Sequence, residues 1–339
     1  MEYYSNIINS NGAGLVLMMF FLEVAVMCSK GSSSSSSMMI IVSKDGSGDY
    51  KSVGEAISNA PDYSKQPYNI HILGGIYEEY ILIPPSKTNI KLLGHGSTHT
   101  IILGRQNGST IDIRGNGFMA QNIGFVNSAG LDASAAVAVR NEATNSIFFQ
   151  CSIQGFQDTL WAVSGRQFYK NCEIYGTVDF IYGNAAAVFQ DCMIYARYRQ
   201  FVTFTAQSRE SPNEKTGFTF QRCKFSMSPE DENKKSEVVR ATLGRPWRAY
   251  STVAILQCYI DSMVDPGGWE QMPGQPIADK VTYVEYKNVG PGSNTDGRVN
   301  WPGVRVLGNP NEALPFTASY LLDAHSWIPS TGVPYDSGL

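Results

Sequence analysis

The sequence predicts an all-β solenoid, in which short strands recur along the chain and stack into coils. Two observations carry this prediction. Large apolar residues recur in a fixed frame around a series of cysteines, and two aspartates lie about one repeat apart. The 32 glycines and 18 tyrosines of the 339-residue chain also favour β-structure with tight turns over a helical bundle.

The repeat is defined by cysteines that have a large apolar residue three positions before them and another two positions after them. The cysteines are Cys151, Cys172, Cys192, Cys223 and Cys258. Gln121 fits the same frame, and the six positions are spaced by 30, 21, 20, 31 and 35 residues. Short strands of constant pattern joined by loops of variable length are typical of a solenoid. A β-sandwich is the alternative architecture.

Stacking gives the cysteines a structural role as an internal ladder of small apolar residues. A Cα spacing of about 4.8 Å would also permit disulfides, so their pairing stays open. Five cysteines follow Cys28, and because that number is odd, at least one thiol is expected to be free. No Cys/His grouping predicts a metal site, and we expect neither a metal nor a cofactor.

One helix is predicted near the start of the solenoid, over Ser52–Ala60. Its apolar residues have helical spacing, Ser52 and Glu55 form a capping box, and Pro61 ends it. We expect this short helix to cap the N-terminal end of the coils, where an open sheet edge invites aggregation. The C-terminal stretch from about Asn309 is rich in Pro, Ser and aromatic residues, and we expect it to wrap back over the coils.

Residues 1–37 differ from the rest of the chain. The run Leu15–Met27 is apolar except for Glu23, and Ser32–Ser37 is low-complexity sequence. A largely apolar run of 13 residues is too short to span a bilayer but fits the core of a signal peptide. No Lys or Arg precedes the run, so an N-terminus without a targeting role is the alternative. We expect a leader with a Ser-rich linker over 1–37 and a single domain over 38–339.

Charge and motif content exclude several classes of function. The net charge of −4 comes without a basic stripe, which argues against nucleic acid as a partner. No GxSxG and no phosphate-binding loop are present, and the four histidines show no nucleophile or metal-ligand pattern. Asn107-Gly108-Ser109 is an N-glycosylation sequon, which is compatible with a secreted glycoprotein.

The chemistry that remains is carried by Asp158 and Asp179, which lie 21 residues apart. Stacked in adjacent coils, their carboxylates would share one site, where one pKa rises and the other stays low. Arg245 can hold one carboxylate ionised through two donors, and Trp247 offers a flat face to a sugar ring. The alternative is a buried Arg–Asp pair that only holds loops together.

Several motifs, matched in order from about Ile40 to the C-terminus, resemble the plant pectin methylesterases. They are Asp45–Tyr50, Gly75–Glu79, Gln157–Leu160, Gly176–Ala185 and Leu243–Trp247. The resemblance implies a right-handed parallel β-helix with long loops that form a cleft, in the form without an inhibitor-like pro-domain. It also implies a pectinesterase that hydrolyses the C6 methyl esters of polygalacturonate and releases methanol.

The resemblance assigns roles to individual residues. It implies that Asp179 is the nucleophile and that Asp158 is the proton donor and later the base. It further implies that Gln157 stabilises the oxyanion and that Arg245 orients Asp179. The residues expected to contact the substrate are Arg245, Trp247, Tyr182 and Phe180.

One departure from the family pattern affects activity. The family has a Gln in a segment reading His-Gln-Ala-Val-Ala-Leu, and Ala135 occupies that position here. Loss of one oxyanion donor costs roughly 10²–10³ in turnover, so we expect an attenuated esterase. The stretch Gly108–Phe118 is shorter than in the family, and Thr110 is the only candidate for a substrate-binding Thr.

Two other functions remain as alternatives. Ala135 favours a non-catalytic pectin-binding homologue. A β-helix glycosidase is favoured only by Gly94–Gly96 and Asn294–Asp296, which occur in the reverse of the order in polygalacturonases. The expected partners are methyl-esterified homogalacturonan and a proteinaceous pectinesterase inhibitor, and we expect a secreted monomer in the cell wall.

Overall fold

The structure is a computed structural model that describes residues 39–131, 133, 135–274 and 278–339. The described residues belong to one compact unit. The leader predicted over 1–37 lies outside them. The chain visits three sheets in turn and then returns to the first sheet one coil further on, and its paired strands run parallel. This is a parallel β-helix, as the cysteine repeat predicted.

We number the sheets 1, 2 and 3 in the order in which each coil visits them. Sheet 1 has 11 strands: Ile40–Val42, Tyr68–Ile72, Ile90–Leu93, Met119–Gln121, Ser146–Phe149, Arg166–Lys170, Ala186–Gln190, Gly217–Gln221, Thr252–Leu256, Thr282–Tyr286 and Val304–Val306. Sheet 2 has 8 strands: Gly75–Glu78, Thr100–Gly104, Gly124–Asn127, Ser152–Gln154, Glu173–Gly176, Met193–Ala196, Lys224–Met227 and Tyr259–Ile260. Sheet 3 has 7 strands: Ile81–Ile83, Ile111–Ile113, Val139–Asn141, Leu160–Ala162, Ile181–Gly183, Phe201–Gln207 and Arg240–Gly244.

Helical segments are short in the described part of the chain. The α-helices are Val53–Ser58, Pro310–Ala313 and Ala318–Leu322, and the 3₁₀ segments are Pro229–Glu237, Pro291–Ser293, Leu314–Phe316, Ala324–Ser326 and Pro329–Thr331. None of the helices described is long and apolar enough to cross a membrane.

The predicted N-terminal helix forms at Val53–Ser58, with Ser52 as its N-cap. The Ser52 hydroxyl accepts the backbone N–H of Glu55 at 3.1 Å. The Glu79 carboxylate accepts the N–H groups of Val53 and Gly54 at 2.9 and 2.8 Å. The helix packs against the first strands of sheets 1 and 3. Its role in closing the end of the coil stack stays a prediction.

Equivalent residues stack inside the coils because neighbouring strands are parallel and in register. The residues three positions before the cysteines form one such column, Phe148–Tyr169–Phe189–Phe220. Their successive ring centroids are 5.0, 4.5 and 4.6 Å apart, with nearly parallel planes. All four rings are fully buried. The apolar frame read from the sequence is therefore the core of the helix.

The frame holds for the five cysteines but was wrong for Gln121. Strand pairing sets Gly124 opposite Ser152, which aligns Ile123 with Cys151, whereas Gln121 lies opposite Phe149. The residue directly before each of the five cysteines, and before Ile123, has a positive φ. In the seven coils with a positive φ at this position the residues are Asn122, Gln150, Asn171, Asp191, Arg222, Gln257 and Lys287. This positive-φ residue marks where each repeat is aligned with the next. The residue equivalent to Cys151 is therefore Ile123, two positions after Gln121.

The cysteine ladder is buried and unbonded. All five cysteines of the described residues are free thiols inside the coils. The backbone N–H of Cys172 lies 3.4 Å from Cys192 Sγ, and that of Cys223 lies 3.3 Å from Cys258 Sγ. The thiols therefore act as small core residues, and the pairing that the sequence left open is absent among them.

The C-terminal segment lies on the outer face of sheet 1, as predicted. Leu322, Trp327 and Ile328 pack against apolar side chains that sheet 1 turns outward, including Ile147 and Phe168. Further along sheet 1, Leu256, Val284 and Tyr286 contact Leu307 and Ala313 in the same way. The segment thus covers the middle and later strands of sheet 1.

Candidate active site

Asp158 and Asp179 lie at the same turn, between sheets 2 and 3, in adjacent coils. Leu160 pairs with Ile181, and each aspartate precedes its strand residue by two positions. Both aspartates have positive φ, 61° for Asp158 and 51° for Asp179. The backbone N–H of Asp158 donates to the carbonyl of Val178 at 3.1 Å, which joins the two turns. The structure therefore places the two carboxyl groups in neighbouring positions of one site.

Arg245 directly follows Arg240–Gly244, the last strand of sheet 3, which lies two strands beyond the strand that follows Asp179. Its Nε donates to Asp179 Oδ1 at 2.8 Å and its Nη2 donates to Asp179 Oδ2 at 2.7 Å. The side chains of Arg245 and Asp179 are 19% and 15% exposed. This is a bidentate pair, the geometry in which a guanidinium binds a carboxylate most strongly.

The two aspartates differ in their electrostatic surroundings. Burial and the neighbouring Asp179 carboxylate raise the pKa of Asp158 to about 7, against the opposing charge of Arg245. Burial also raises the pKa of Asp179, but this shift is the smaller one because Arg245 bonds that carboxylate directly. There is therefore a pH range in which Asp158 is protonated while Asp179 is ionised.

A hollow of about 220 Å³ opens over the aspartate pair. Its lining residues are Gln157, Asp158, Asp179, Tyr182, Ala206, Trp247 and Met272. The Tyr182 ring lies 5.8 Å from the Trp247 ring and stacks on Trp161 at 5.4 Å. The hollow therefore combines two carboxyl groups with the aromatic rings of Tyr182 and Trp247. Such a site suits a sugar ring that carries a reactive polar group. A larger groove of about 590 Å³, lined by residues between 232 and 240 and between 262 and 266, contains neither aspartate.

Besides the two aspartates and Arg245, three of the predicted site residues line the hollow and one, Phe180, does not. Gln157, Tyr182 and Trp247 line the hollow beside the aspartates. The Gln157 side chain makes no hydrogen bond to the described residues, so its amide is available to a bound group. Phe180 is a correction, because its ring is fully buried in the core and lies 5.4 Å from Phe204. The positive φ of Asp179 breaks the strand alternation, so that Phe180 and Ile181 both face inward.

Other sequence candidates lie away from the hollow. Thr110 is fully buried and its hydroxyl donates to the carbonyl of Val126 at 3.0 Å, so it cannot serve as the substrate-binding Thr. Ala135 and the sequon residue Asn107 are exposed. Ala135 is not among the residues that line the hollow. Its methyl group supplies no donor, and the attenuation expected from it stays a prediction.

Sequence reasoning missed three residues of the site: Ala206, Glu270 and Met272. Ala206 is the strand partner of Tyr182, but it lies late in the seven-residue strand Phe201–Gln207, and the sequence spacing did not show this register. Met272 and Glu270 follow the bridge between Gly244 and Trp269, and no motif marked them. Within the described ranges, no group of three or more His, Cys, Asp or Glu side chains could hold a metal ion.

The fold and the site together define a class of protein: a parallel β-helix with a paired-aspartate site and an arginine counter-ion on its outer surface. Residues 39–325 match the pectinesterase family. The chain belongs to that family.

Individual relatives agree with this placement. A putative pectinesterase/pectinesterase inhibitor 22 of Arabidopsis thaliana is 42% identical over 314 residues, which cover 88% of this chain and 55% of the relative. Pectinesterase 3 of Solanum lycopersicum is 42% identical over 309 residues, covering 88% and 57%. The chain thus spans a little over half the length of these curated relatives.

Solved structures show the same fold. Pectin methylesterase from carrot superposes with a TM-score of 0.87 at 40% identity, covering 91% of this chain and all of that one. The Aspergillus niger enzyme superposes with a TM-score of 0.72 at 25% identity, covering 88% and 98%. The right-handed parallel β-helix expected from the resemblance is confirmed.

Proposed function

We propose that this protein hydrolyses the C6 methyl esters of polygalacturonate and releases methanol. The observation that carries the proposal is the unequal carboxyl pair, with Asp158 at a pKa of about 7 beside an Asp179 that Arg245 binds through two donors. Membership of the pectinesterase family and the likeness to the carrot pectin methylesterase support the choice of substrate.

In the first half of the reaction, Asp179 acts as the nucleophile. One of its carboxylate oxygens attacks the ester carbonyl carbon and forms a tetrahedral intermediate. The C–O bond to the methoxy group then breaks while Asp158 gives its proton to the departing oxygen. The products are methanol, an ionised Asp158 and a mixed anhydride that joins Asp179 to the galacturonyl carbon.

In the second half, water replaces Asp179. Asp158, now a carboxylate, takes a proton from a water molecule that attacks the galacturonyl carbonyl. Asp179 leaves as a carboxylate, and Arg245 stands where it can receive the returning negative charge. Each turnover converts one ester and one water into one carboxylic acid and one methanol, and it restores the proton of Asp158.

The remaining residues of the hollow bind the substrate. The Gln157 amide donates to the carbonyl oxygen as that oxygen becomes negative, which stabilises the tetrahedral intermediate. Trp247 and Tyr182 hold the sugar ring against the aspartate pair. Because Ala135 supplies no second side-chain donor, we expect turnover to be lower than that of an esterase with Gln at this position.

The proposal is tested by the release of methanol from methylated pectin. We expect release from the wild type and a loss of at least about 10³-fold in Asp179→Ala, which removes the nucleophile. The control is Glu78→Gln, which breaks an exposed ion pair with Arg105 outside the hollow and should leave release unchanged. Equal release by wild type and Asp179→Ala would contradict the proposal.

A second candidate function is pectin binding without catalysis. The aromatic wall of the hollow and the missing donor at Ala135 favour it. The two functions separate in one experiment, since a binding protein would retain methylated pectin on an affinity column and release no methanol even at high protein concentration.

We also infer where the protein acts and with what. Plant relatives named as pectinesterases support action on homogalacturonan of the cell wall, and the predicted leader supports secretion. A proteinaceous pectinesterase inhibitor as partner and a monomeric state follow from the family resemblance alone. Titration of methanol release with a plant pectinesterase inhibitor, followed by size-exclusion chromatography of the mixture, tests both.

A further inference from the structure

Glu270 lies beside Arg245 and takes no part in the proposed reaction. Its backbone N–H donates to the carbonyl of Gly244 at 3.1 Å, and Trp269 bridges to Gly244. The segment that carries Glu270 therefore continues sheet 3 past the strand that delivers Arg245. The Glu270 side chain is 15% exposed, as sheltered as that of Asp179.

Three groups hold the Glu270 carboxylate. Its Oε1 accepts the Thr203 hydroxyl at 2.8 Å, and its Oε2 pairs with Arg240 Nη2 at 2.7 Å. Oε1 also lies 3.9 Å from Arg245 Nη1. Arg245 turns its Nε and Nη2 to Asp179, so its remaining nitrogen faces a second carboxylate. The carboxylates of Asp179 and Glu270 thus both lie near the Arg245 guanidinium. Arg240 binds the Glu270 carboxylate on the side away from Arg245 through Oε2.

We propose that Glu270 is a positioning residue that holds the Nη1 end of Arg245 and thereby sets how strongly Arg245 engages Asp179. The inference rests on the proposed function, in which Asp179 is the nucleophile. A carboxylate that is fully neutralised by a guanidinium attacks a carbonyl poorly, whereas one without a counter-ion is protonated in a buried site. By sharing Arg245, Glu270 leaves Asp179 ionised and still nucleophilic.

The charges around Asp179 agree with this arrangement. Burial raises the pKa of Asp179, the hydrogen bonds and charge of Arg245 oppose that rise, and the charge of Glu270 adds a smaller upward contribution. The other titratable groups that face Asp179 are Asp158, Tyr182 and Tyr283. Both tyrosines have a pKa raised by burial and stay neutral near pH 7. Outside the aspartate pair, Glu270 and Arg245 are therefore the charged groups whose substitution is expected to change the pKa of Asp179.

The test uses two substitutions with opposite expected signs. Glu270→Gln keeps the side-chain shape but removes the charge, so Arg245 engages Asp179 more strongly and the pKa of Asp179 falls by roughly half a unit or more. Arg240→Gln releases Glu270 toward Arg245, so the pKa of Asp179 rises. Because Arg240 is half exposed, its loss does not disturb the core. Because loss of a negative and of a positive charge shifts the pKa in opposite directions by Coulomb interaction alone, the neutral substitution Thr203→Val is needed to show that the position of Glu270 matters.

The measurement is the carboxyl ¹³C chemical shift of Asp179 against pH in the full chain without substrate, assigned by comparison with Asp179→Asn. Thr203→Val is a second variant, which keeps the Glu270 charge but removes one anchor, and we expect a smaller change in the titration. Glu78→Gln again serves as the control and should leave the titration unchanged. A titration of Asp179 that does not move in Glu270→Gln would overturn the proposal.

A parallel measurement separates this inference from the proposed function. If Asp179 is the nucleophile, the acidic limb of the pH profile for methanol release moves with the titration of Asp179 in both variants. Titration shifts without matching shifts of the acidic limb would support the coupling of Glu270 to Asp179 but contradict the catalytic role of Asp179.

Discussion

Asp158 and Asp179 are the same residue type at the same turn, and their surroundings alone make them different acids. Arg245 lies within hydrogen-bonding distance of one carboxylate, whereas it acts on the other only through its charge. Coulomb interactions fall with distance and direct bonds add to them, so Asp158 is left with the higher pKa. Under the proposed function, the position of Arg245 therefore makes Asp158 the proton donor and Asp179 the nucleophile.

The first prediction concerns the pH dependence of activity. Asp158 must be protonated to donate to methanol, and its pKa is about 7. We therefore expect kcat/KM to fall above pH 7. Well above the pKa of Asp158, each further pH unit should lower it about tenfold. Methanol release measured between pH 4 and pH 9 checks this. A rate that stays constant up to pH 9 would mean that Asp158 is not the proton donor.

The same raised pKa has a consequence for stability. A carboxyl whose pKa is higher in the folded state stabilises the fold at low pH and loses that contribution as pH rises. For Asp158 the loss spans its ordinary value of 3.8 to about 7. We expect Asp158→Asn to be more stable than the wild type at pH 7.5 by on the order of 2 kcal/mol, with little difference at pH 4. Urea unfolding at both values measures this, and a difference that is independent of pH would contradict it.

Ala135 gives the third prediction. If a side-chain amide at this position can reach the developing oxyanion, Ala135→Gln should raise turnover by up to roughly 10²-fold. Ala135 is exposed, so the longer side chain meets no packing penalty. Methanol release by the variant and the wild type, measured side by side with Ala135→Leu as a size control, decides the point. No gain in the Gln variant would mean that other groups already complete the oxyanion site.

At the level of strands and turns, the stability of the β-helix rests on columns of identical positions. Phe189 is fully buried and stacks between Tyr169 and Phe220 at 4.5 and 4.6 Å. We expect Phe189→Ala to lower the free energy of unfolding by about 3–5 kcal/mol, and Phe189→Leu to cost less because it leaves a smaller cavity. Denaturant unfolding measures both, and equal small losses would show that the column is loosely packed.

These columns also explain what sequence reasoning could and could not predict about the elements. The cysteines and their flanking apolar residues fixed the interior pattern because every coil repeats it. Gln121 and Phe180 were misplaced because each lies next to a residue with positive φ, at Asn122 and Asp179. Such a residue shifts the strand phase, and a rule of strict alternation cannot see it.

On the scale of the whole molecule, the site joins parts of the chain whose spacing along the sequence is irregular. The 21-residue separation predicted the contact of the two aspartates because one coil lies between them. Arg245 was found through its motif, since no period connects it with Asp179. Glu270 and Met272 escaped prediction because the long connection between the strands Tyr259–Ile260 and Thr282–Tyr286 carries no repeat. Regular coils were predictable, and the loops that complete the cleft were not.

The C-terminal segment supplies the last prediction, because it joins several coils along sheet 1 without touching the hollow. Trp327 is 7% exposed, packs against that face and donates its indole N–H to the carbonyl of Leu322 at 3.1 Å. We expect Trp327→Ala to lower the free energy of unfolding by about 3 kcal/mol. Tyr320→Ala, at a residue 69% exposed on the adjacent helix, should change it by less than about 0.5 kcal/mol. Since no residue of the C-terminal segment lines the hollow, KM for methylated pectin should stay the same in both variants. A changed KM in Trp327→Ala would show that the segment also supports the geometry of the site.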